Sequence, residues 1–411
     1  MKQLLWVLML LAAITAGAQD NIVLRGYIKD KDSHEPLSLA AAQIMNSQLG
    51  ALSDDNGYFE LPIPKVNLND SLHVSFIGYQ PQNLSIKNYK AGDTLRIMLG
   101  TEVLTKQEAV IVATNARGVL LKAIDNLKKN LYTDSLIATG FYRQYHKENG
   151  KFVRLLEADV SVAFNVKNPY RYEFHELVQV NKQRRTENYE RNVDANNHGD
   201  HLVDLLEQNP FSYNKRTFLN ARNLDFFSPK FEEEDTDHYI IKTQYKEPSS
   251  KTLDRARIWV DKGSYAITRI EIEKFPNPYY VRTQYEKESI WKLVNETDVI
   301  ELASINGKFF VSTLLRTYNH HVVDLKTGEV QFIVEETFQL YFNRFDTEKV
   351  GATINAGKFQ NGTNLYTANY NYEPGFWGAY KPLQEHPIPD PIRKDLEHAK
   401  SLETQFEESG K

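Results

Sequence analysis

The chain has 411 residues, with 49 basic and 54 acidic side chains and a formal net charge of −5 at neutral pH. That balance gives no electrostatic handle for nucleic acid or for an anionic membrane surface. There is no cysteine, which excludes disulfides, thiolate metal sites and a lipid-bearing cysteine at a cleavage site.

The first element is an expected secretory signal over residues 1–18. Lys2 supplies a positive start, Leu4 to Ile14 is an almost unbroken apolar run, and Ala16-Gly17-Ala18 is a small-x-small cleavage site before Gln19. The run is short for a bilayer span and polar sequence follows at once, so cleavage is the reading preferred over a retained anchor. The expected location is therefore the periplasm or the periphery of an outer membrane. The remaining chain is long enough for two cores, and its 23 tyrosines and 21 phenylalanines favour strands.

Residues 20–100 read as short strands punctuated by turns. Leu24 to Ile28 alternates into Asp30-Lys31-Asp32-Ser33, and Pro36-Leu37 opens a strand that continues through Ala40 to Ile44. Ser53-Asp54-Asp55-Asn56-Gly57 is the tightest turn signal, with Gly57 free to take a positive φ before Tyr58-Phe59-Glu60-Leu61. Leu72 to Phe76 alternates again, Gly78 relaxes the backbone beside Tyr79, and Leu95 to Leu99 closes the set. Regularly spaced strands over about 75 residues imply a small β-sandwich.

Gly26, Ile28 and Asp30, then Pro36, Leu37 and Ala40, then Ser53, Asp54, Gly57 and Phe59, then Leu72, Val74, Ser75, Gly78 and Tyr79 together make a pattern that resembles the carboxypeptidase-like regulatory domain. The resemblance implies a transthyretin-like sandwich, an accessory module without a catalytic site, found beside metallocarboxypeptidases and at the start of outer-membrane receptors. Neither setting fits the rest of the chain. A zinc carboxypeptidase needs a His-x-x-Glu pair and a later His, and no His-x-x-Glu occurs here. Roughly 310 residues follow the module, too few for a plugged 22-stranded transporter barrel. Asp54, Asp55, Asn56 and Glu60 lack the ligand spacing of a calcium loop, and ordinary turn chemistry accounts for them.

Residues 101–135 read as a linker strand, Thr101 to Thr114, followed by a helix from Ala116 to Leu131. Val119, Leu120, Ala123, Ile124, Leu127 and Leu131 share one apolar face, Asn115 stands at the N-cap, and the helix is expected to pack on the sheet that follows.

Residues 136–380 are dominated by long strands. Phe141 to His146 leads through Glu148-Asn149-Gly150-Lys151 to a return strand, Phe152 to Phe164. Tyr239 to Tyr245, Ala256 to Val260 and Tyr265 to Phe275 follow, the last two joined at Asp261-Lys262-Gly263. Asn306-Gly307 is the strongest hairpin signal, set between Val299 to Ile305 and Lys308 to Tyr318. Val330 to Phe342 is the clearest strand, with Val330, Phe332, Val334, Phe338, Leu340 and Phe342 on one face. At about 3.4 Å per residue it is near 44 Å long, which calls for a large sheet with something covering its apolar face. Glu336 breaks that face. A bulge or a salt bridge at the sheet's rim is the plain account, and a polar contact inside a ligand-holding concavity the sharper one. The hairpin from Arg257 to Ile267 resembles the repeating hairpin of periplasmic lipoprotein-carrier folds over about 140–345, where an open antiparallel half-barrel holds acyl chains beneath a helical lid. The stretch from Lys182 to Lys230 departs from that pattern.

His198 and His201, with Asp204, form the one metal-like cluster, but without a fourth ligand an ordinary helix start with a solvated face is the preferred reading. His320-His321 reads as the end of a strand before a loop through Asp324, Lys326, Thr327 and Gly328. No nucleophile elbow is present. Tyr372, Phe376, Trp377 and Tyr380, around Pro374 and Gly375, read as a plug over a core in preference to a sugar platform. Residues 381–411 hold the proline-spaced His386 to Pro391 and a final amphipathic helix on Ile392, Leu396, Ala399, Leu402 and Phe406, which needs a partner surface in this chain or another.

The expected fold is mainly β: a transthyretin-like sandwich and then a larger antiparallel β-domain with a few helices. The expected function is non-catalytic, with no cofactor and no metal. The partner is a lipid or other hydrophobic ligand, or else an outer-membrane protein for which the chain is a scaffold. A hydrolase of unfamiliar type is the third reading.

Overall fold

The structure is a computed structural model that describes residues 21–45, 47, 49–76, 79–101, 115–132, 134–164, 177–189, 202–207, 210–211, 217–234, 237–246, 252–276, 289–324, 326–347, 360–361, 365, 370–380, 382–383 and 386–410. The signal segment, the linker strand up to Thr114, Gly78, His198 and His201 lie outside the described residues. The chain divides into two units, one ending at Thr101 and one beginning at Glu102.

The first unit is built from alternating strands. In β1 (Asn21–Asp30) Ile22, Leu24 and Ile28 point inward, as a two-residue period requires. β1 pairs antiparallel with β4 (Tyr58–Pro64) and parallel with β7 (Leu95–Leu99). A second sheet runs β3 (Leu49–Leu52), β2 (Ala41–Ile44), β5 (Ser71–Ser75) and β6 (Gln82–Ser85). The two sheets share one core, with Leu24, Ile28, Phe59 and Ile97 from the first meeting Ile44, Leu72 and Val74 from the second. Each such side chain stabilises the fold by about 1.5–3 kcal/mol.

The turn before β4 forms as its residues dictate. Asp54 Oδ1 accepts from the amides of Asn56 and Tyr58 at 2.8 Å, and Gly57 sits at φ +75°. A Cβ there would meet the carbonyl oxygen of Ile28 at 2.3 Å, so only glycine fits. The strand expected from Pro36 begins instead at Ala41. Leu39 takes φ 62°, which breaks the extended run, and Ser53 Oγ accepts from the amide of Ala40 at 2.9 Å.

The second unit opens with α1 (Ala116–Asn130), capped by Asn115, whose side chain accepts from the amide of Gly118 at 2.8 Å. Its buried residues Val119, Leu120, Ala123 and Leu127 lie on the expected face, and it packs on the sheet of this unit. The strands are β8 (Leu136–Glu148), β9 (Lys151–Phe164), β10 (Leu177–Arg185), β11 (Lys230–Glu234), β12 (His238–Gln244), β13 (Thr252–Asp261), β14 (Ile267–Pro276), β15 (Ser289–Ile305), β16 (Lys308–Asp324), β17 (Val330–Asp346) and β18 (Gln360–Asn361). They form an antiparallel sheet in the order β11-β12-β13-β14-β15-β16-β17-β8-β9-β10-β18. A meander from β11 to β17 thus closes against a second one beginning at β8.

Two of its hairpins are two-residue turns with both φ values positive: Asn149-Gly150 at 48° and 79°, and Asn306-Gly307 at 51° and 75°. The Asp261 turn is longer than expected. Asp261 Oδ1 accepts from both the amide and the hydroxyl of Ser264 at 2.6 Å, and Tyr265 rather than Gly263 takes the positive φ, at 56°. β15, β16 and β17 are each 17 residues long, so His320 and His321 lie inside β16 and not in a loop. Pairing holds the strand as far as Asp324, whose side chain then accepts from the amides of Lys326 and Thr327. Val330 is 48% exposed, so the apolar face of β17 begins at Phe332.

The C-terminal residues make α3 (Pro374–Ala379), α4 (Asp390–Leu396) and α5 (Leu402–Ser409), while α2 (Leu202–Glu207) lies earlier. The single final helix expected from sequence is two helices. Ser401 caps the second by accepting from the amide of Thr404, and Gln405 Nε2 donates to the carbonyls of Leu396 and Lys400 at the break. Ile392, Leu396, Leu402 and Phe406 are buried with Leu155, so the partner of this apolar face is the protein's own sheet. The fold class is as the sequence indicated: mainly β, with a small N-terminal sandwich, a large antiparallel sheet and few helices.

Candidate functional site

Residues directly opposite in a sheet share a face, and the register therefore defines rows across neighbouring strands. One row on the large sheet is Ile241, Ile258, Ile270, Ile300, Leu314, Leu340, Tyr142 and Ala158, from β12 to β9. Every one of them is buried.

Four residues along the strands on the same face, the row is ionisable. Lys274, Glu296, Tyr318, Glu336, His146 and Arg154 stand opposite one another from β14 to β9. Asp298 and Arg316 occupy the row between, beside Phe338 and Gln144. Six strands at about 4.8 Å spacing make this ladder about 24 Å long.

Its charges neutralise one another. Arg316 holds Asp298 with two bonds of 2.5 and 3.2 Å, and its Nη1 donates to the Tyr318 hydroxyl at 3.3 Å. Lys274 reaches Glu296 at 2.5 Å and Asp298 at 3.3 Å. His146 Nε2 stands 2.9 Å from Glu336, and His320 Nδ1 lies 3.9 Å from the other oxygen of the same carboxylate. Arg154 Nη2 is within 2.9 Å of His146 Nδ1 and within 2.7 Å of Nε2. Gln144 Nε2 also lies 3.1 Å from His146 Nε2, so the ring nitrogens meet an amide and a guanidinium as well as the carboxylate. Phe338, Tyr318 and Trp291 set their rings against the two imidazoles.

The environment splits the two neighbouring carboxylates. Burial, with Asp298 beside it, pushes the pKa of Glu296 up. Burial also opposes ionisation of Asp298, but Arg316 and Lys274 outweigh it and hold its pKa below the ordinary range. Burial lowers and the two carboxylates raise the pKa of Lys274, with a net rise. Tyr318 is pushed up to about 12, chiefly by burial. Two carboxylates two residues apart on one strand are thus shifted in opposite directions by what surrounds them.

The other face of β8, β9 and β10 is covered by the C-terminal segment. Glu157 accepts from Arg143 at 2.7 Å and from Arg184 at 2.5 Å, and all three side chains are buried. Arg143 also donates to the carbonyls of His386 and Pro387, while Arg184 lies over the rings of Trp377 and Phe406. Tyr380 donates to Asp159 at 2.7 Å, and burial raises both pKa values. Trp377 and Tyr380 cap Phe141, as the plug reading anticipated.

Glu336 is thus neither at a rim nor at a bulge. It is 5% exposed in mid-strand, and the register shifts of β17 fall elsewhere. Asp204 lies in α2. Among the described residues no group of three His, Asp or Glu is placed to hold a metal ion, and no helix is long and apolar enough to cross a membrane. The sequence reading missed His146, Arg154, Glu296, Asp298 and Arg316. The available signal was Glu296 and Asp298, then Arg316 and Tyr318, two residues apart inside long strands and hence on one face.

Comparison with known proteins places the first unit. Residues 24–112 match the CarboxypepD_reg-like domain. The match covers the sandwich and leaves the large sheet outside it. A search of curated proteins gives no match. Solved structures give faint likenesses. One concerns lipid–protein interactions in lipovitellin, at 8% identity and a TM-score of 0.26, covering 53% of this chain and 26% of that one. A DUF1329 family protein from Desulfovibrio piger aligns at 11% identity and 0.23, over 56% of this chain and 94% of its own. A protein of unknown function from Bacteroides fragilis, described as membrane-associated, aligns at 9% and 0.16 over 79% and 98%. The chain spans about a quarter of lipovitellin's length.

Proposed function

We propose that this is an exported, non-catalytic protein of the cell envelope, in which the CarboxypepD_reg-like sandwich is an accessory module and the large sheet binds a hydrophobic ligand. The observation that carries the reading is the row from Ile241 to Ala158: eight adjacent strands each present an apolar or aromatic side chain on one face. The row is closed to water by the protein's own side chains, so an acyl chain laid across the strands would take the place of that cover and meet one apolar surface along its whole length. The parallel ionisable ladder sets Lys274, Arg316 and Arg154 against Glu296, Asp298 and Glu336, three residues of each sign, so it suits a polar end group without demanding one sign of charge. The resemblance of the Arg257–Ile267 hairpin to lipoprotein-carrier folds accords with this.

The test is native mass spectrometry of protein purified from its own envelope, with lipid analysis of the denatured sample. A stoichiometric lipid supports the reading. A ligand-free protein that also fails to take up lipid from vesicles sinks it. Sequencing the purified N-terminus checks export in the same preparation, with Gln19 expected first.

A second reading is an enzyme. His146 Nε2 stands 2.9 Å from a Glu336 oxygen, the separation of base and orienter in part of a hydrolytic triad, which is what favours it. A hydrolytic activity abolished by His146→Ala in a folded protein would establish it.

A further inference from the structure

We propose that the ligand of the large sheet is a diacyl lipid with a zwitterionic headgroup, an ammonium and a phosphate in one head, held along the ionisable ladder. The inference rests on the reading of that sheet as a lipid-binding face and names the class of lipid. The signs of the ladder alternate from strand to strand. Lys274 on β14 is followed by Glu296 and Asp298 on β15, Arg316 on β16 and Glu336 on β17, and Arg154 on β9 comes after the imidazole of His146 on β8. Neighbouring strands lie about 4.8 Å apart. A head whose two charges sit at the ends of a two-carbon link therefore meets both signs within one strand step. A head of one sign meets an opposite charge and, one step away, a like charge.

The ladder's groups are bonded to one another, so a head enters by exchange of partners. Arg316 Nε lies 2.5 Å from Asp298 and 3.4 Å from Glu296, and Lys274 reaches the same two carboxylates, which gives this quartet alternative pairings. An ammonium that takes a share of Glu296 frees Lys274 for the phosphate, and the buried charge stays in balance. A head of net charge leaves one charge of the buried face uncompensated, which is strongly disfavoured.

A second observation marks where the head joins its chains. Thr243 on β12 is in register with Ala256, Ile272 and Asp298, in the row that separates the apolar row of Ile241 from the ionisable row of Lys274. The Thr243 side chain is buried, and its Oγ1 has no hydrogen-bond partner among the described residues. A buried hydroxyl left unbonded is costly. The ester carbonyl of a diacyl lipid falls at this same boundary between chain and head and is an acceptor for it.

The test is a competition. The full chain is incubated with vesicles holding equal amounts of phosphatidylethanolamine, phosphatidylglycerol and a monoglycosyl diacylglycerol of the same acyl chains, then reisolated, and its bound lipid is measured by mass spectrometry. Several-fold enrichment of phosphatidylethanolamine over both others is expected. Glu336→Gln removes a negative charge and should move the ratio towards phosphatidylglycerol, while Lys274→Gln removes a positive one and should move it away. Opposite shifts separate recognition of the head from mere loss of structure, which moves both variants alike. Thr243→Val should lower the uptake of all three lipids and leave their ratio unchanged. Equal uptake of the three lipids by the wild type, or preference for the anionic or the uncharged one, overturns the proposal and leaves the lipid-binding reading standing. Uptake of no lipid at all overturns both.

Discussion

Glu336 and His146 face one another across the β17–β8 pair, with 2.9 Å between a carboxylate oxygen and Nε2, and both side chains are almost wholly out of water. A carboxylate in that position is tolerated only with polar groups close by, here the imidazole with the Arg154 guanidinium behind it. Glu336→Ala leaves the His146–Arg154 side of the ladder without this anion, at a cost of about 3–5 kcal/mol. The double variant Glu336→Leu/His146→Leu removes both partners together and is expected to be the more stable of the two. Urea unfolding of the single and double variants measures the difference. A single variant as stable as the wild type would show the pair to be idle.

The second anchor of the ladder is Arg316 on Asp298. Arg316→Met strands two carboxylates, Glu296 and Asp298, on Lys274 alone. The expected loss is about 3–5 kcal/mol at neutral pH. The loss shrinks on acidification, because protonated carboxyls no longer need the guanidinium. Denaturation midpoints at two pH values read both effects.

Glu296 and Asp298 carry opposite pH signatures. The folded pKa of Asp298 is depressed, so its contribution is present above its unfolded value and lost as pH falls through the folded value. That of Glu296 is raised, so the fold binds a proton there more tightly than the unfolded chain does. Its contribution is fully present below the unfolded pKa, about 4.3, and is lost as pH rises through the folded value. Glu296→Gln removes only the second effect. Stability curves of wild type and variant should therefore diverge in favour of the wild type as pH is lowered, and parallel curves would refute the assignment.

Much of the fold was legible because strands and turns are specified locally. Asn149-Gly150 and Asn306-Gly307 adopt the positive φ values that short hairpins need, and Asn115 caps α1 through its own side chain. The ladder was not legible in the same way. Glu336 stands out in its strand, yet His146 is 190 residues earlier and meets it only because β17 closes against β8. Register between strands distant in sequence follows from the whole sheet, and no local pattern encodes it. The split of the last helix was likewise hidden, since Leu396 and Leu402 keep an apolar face while Ser401 restarts the backbone.

Gly57 isolates the sandwich from the rest in a single substitution. Gly57→Ala puts a Cβ 2.3 Å from the Ile28 carbonyl at a φ that L-residues disfavour. The penalty is about 1–3 kcal/mol or more. Hydrogen exchange should show faster opening of amides in β1 and β4, with those of β15 to β17 unchanged. Equal acceleration in both units would mean that they open as one.

Phe406 tests what holds the C-terminal segment down. Its ring is buried among Leu155, Ile392, Leu396 and Leu402 and lies 4.6 Å from the Arg184 guanidinium. Truncation to alanine removes a core aromatic and one wall of the arginine's site, at a cost of about 3–5 kcal/mol. The loss should be local. Arg143 and Glu157 keep their own bond, and the apolar row and ionisable ladder on the opposite face are untouched. Limited proteolysis is therefore expected to cut Phe406→Ala between His386 and Lys400 many-fold faster than the wild type, while the body up to Asp346 resists as before. Cleavage spread evenly over the chain would show instead that the segment is part of the global core.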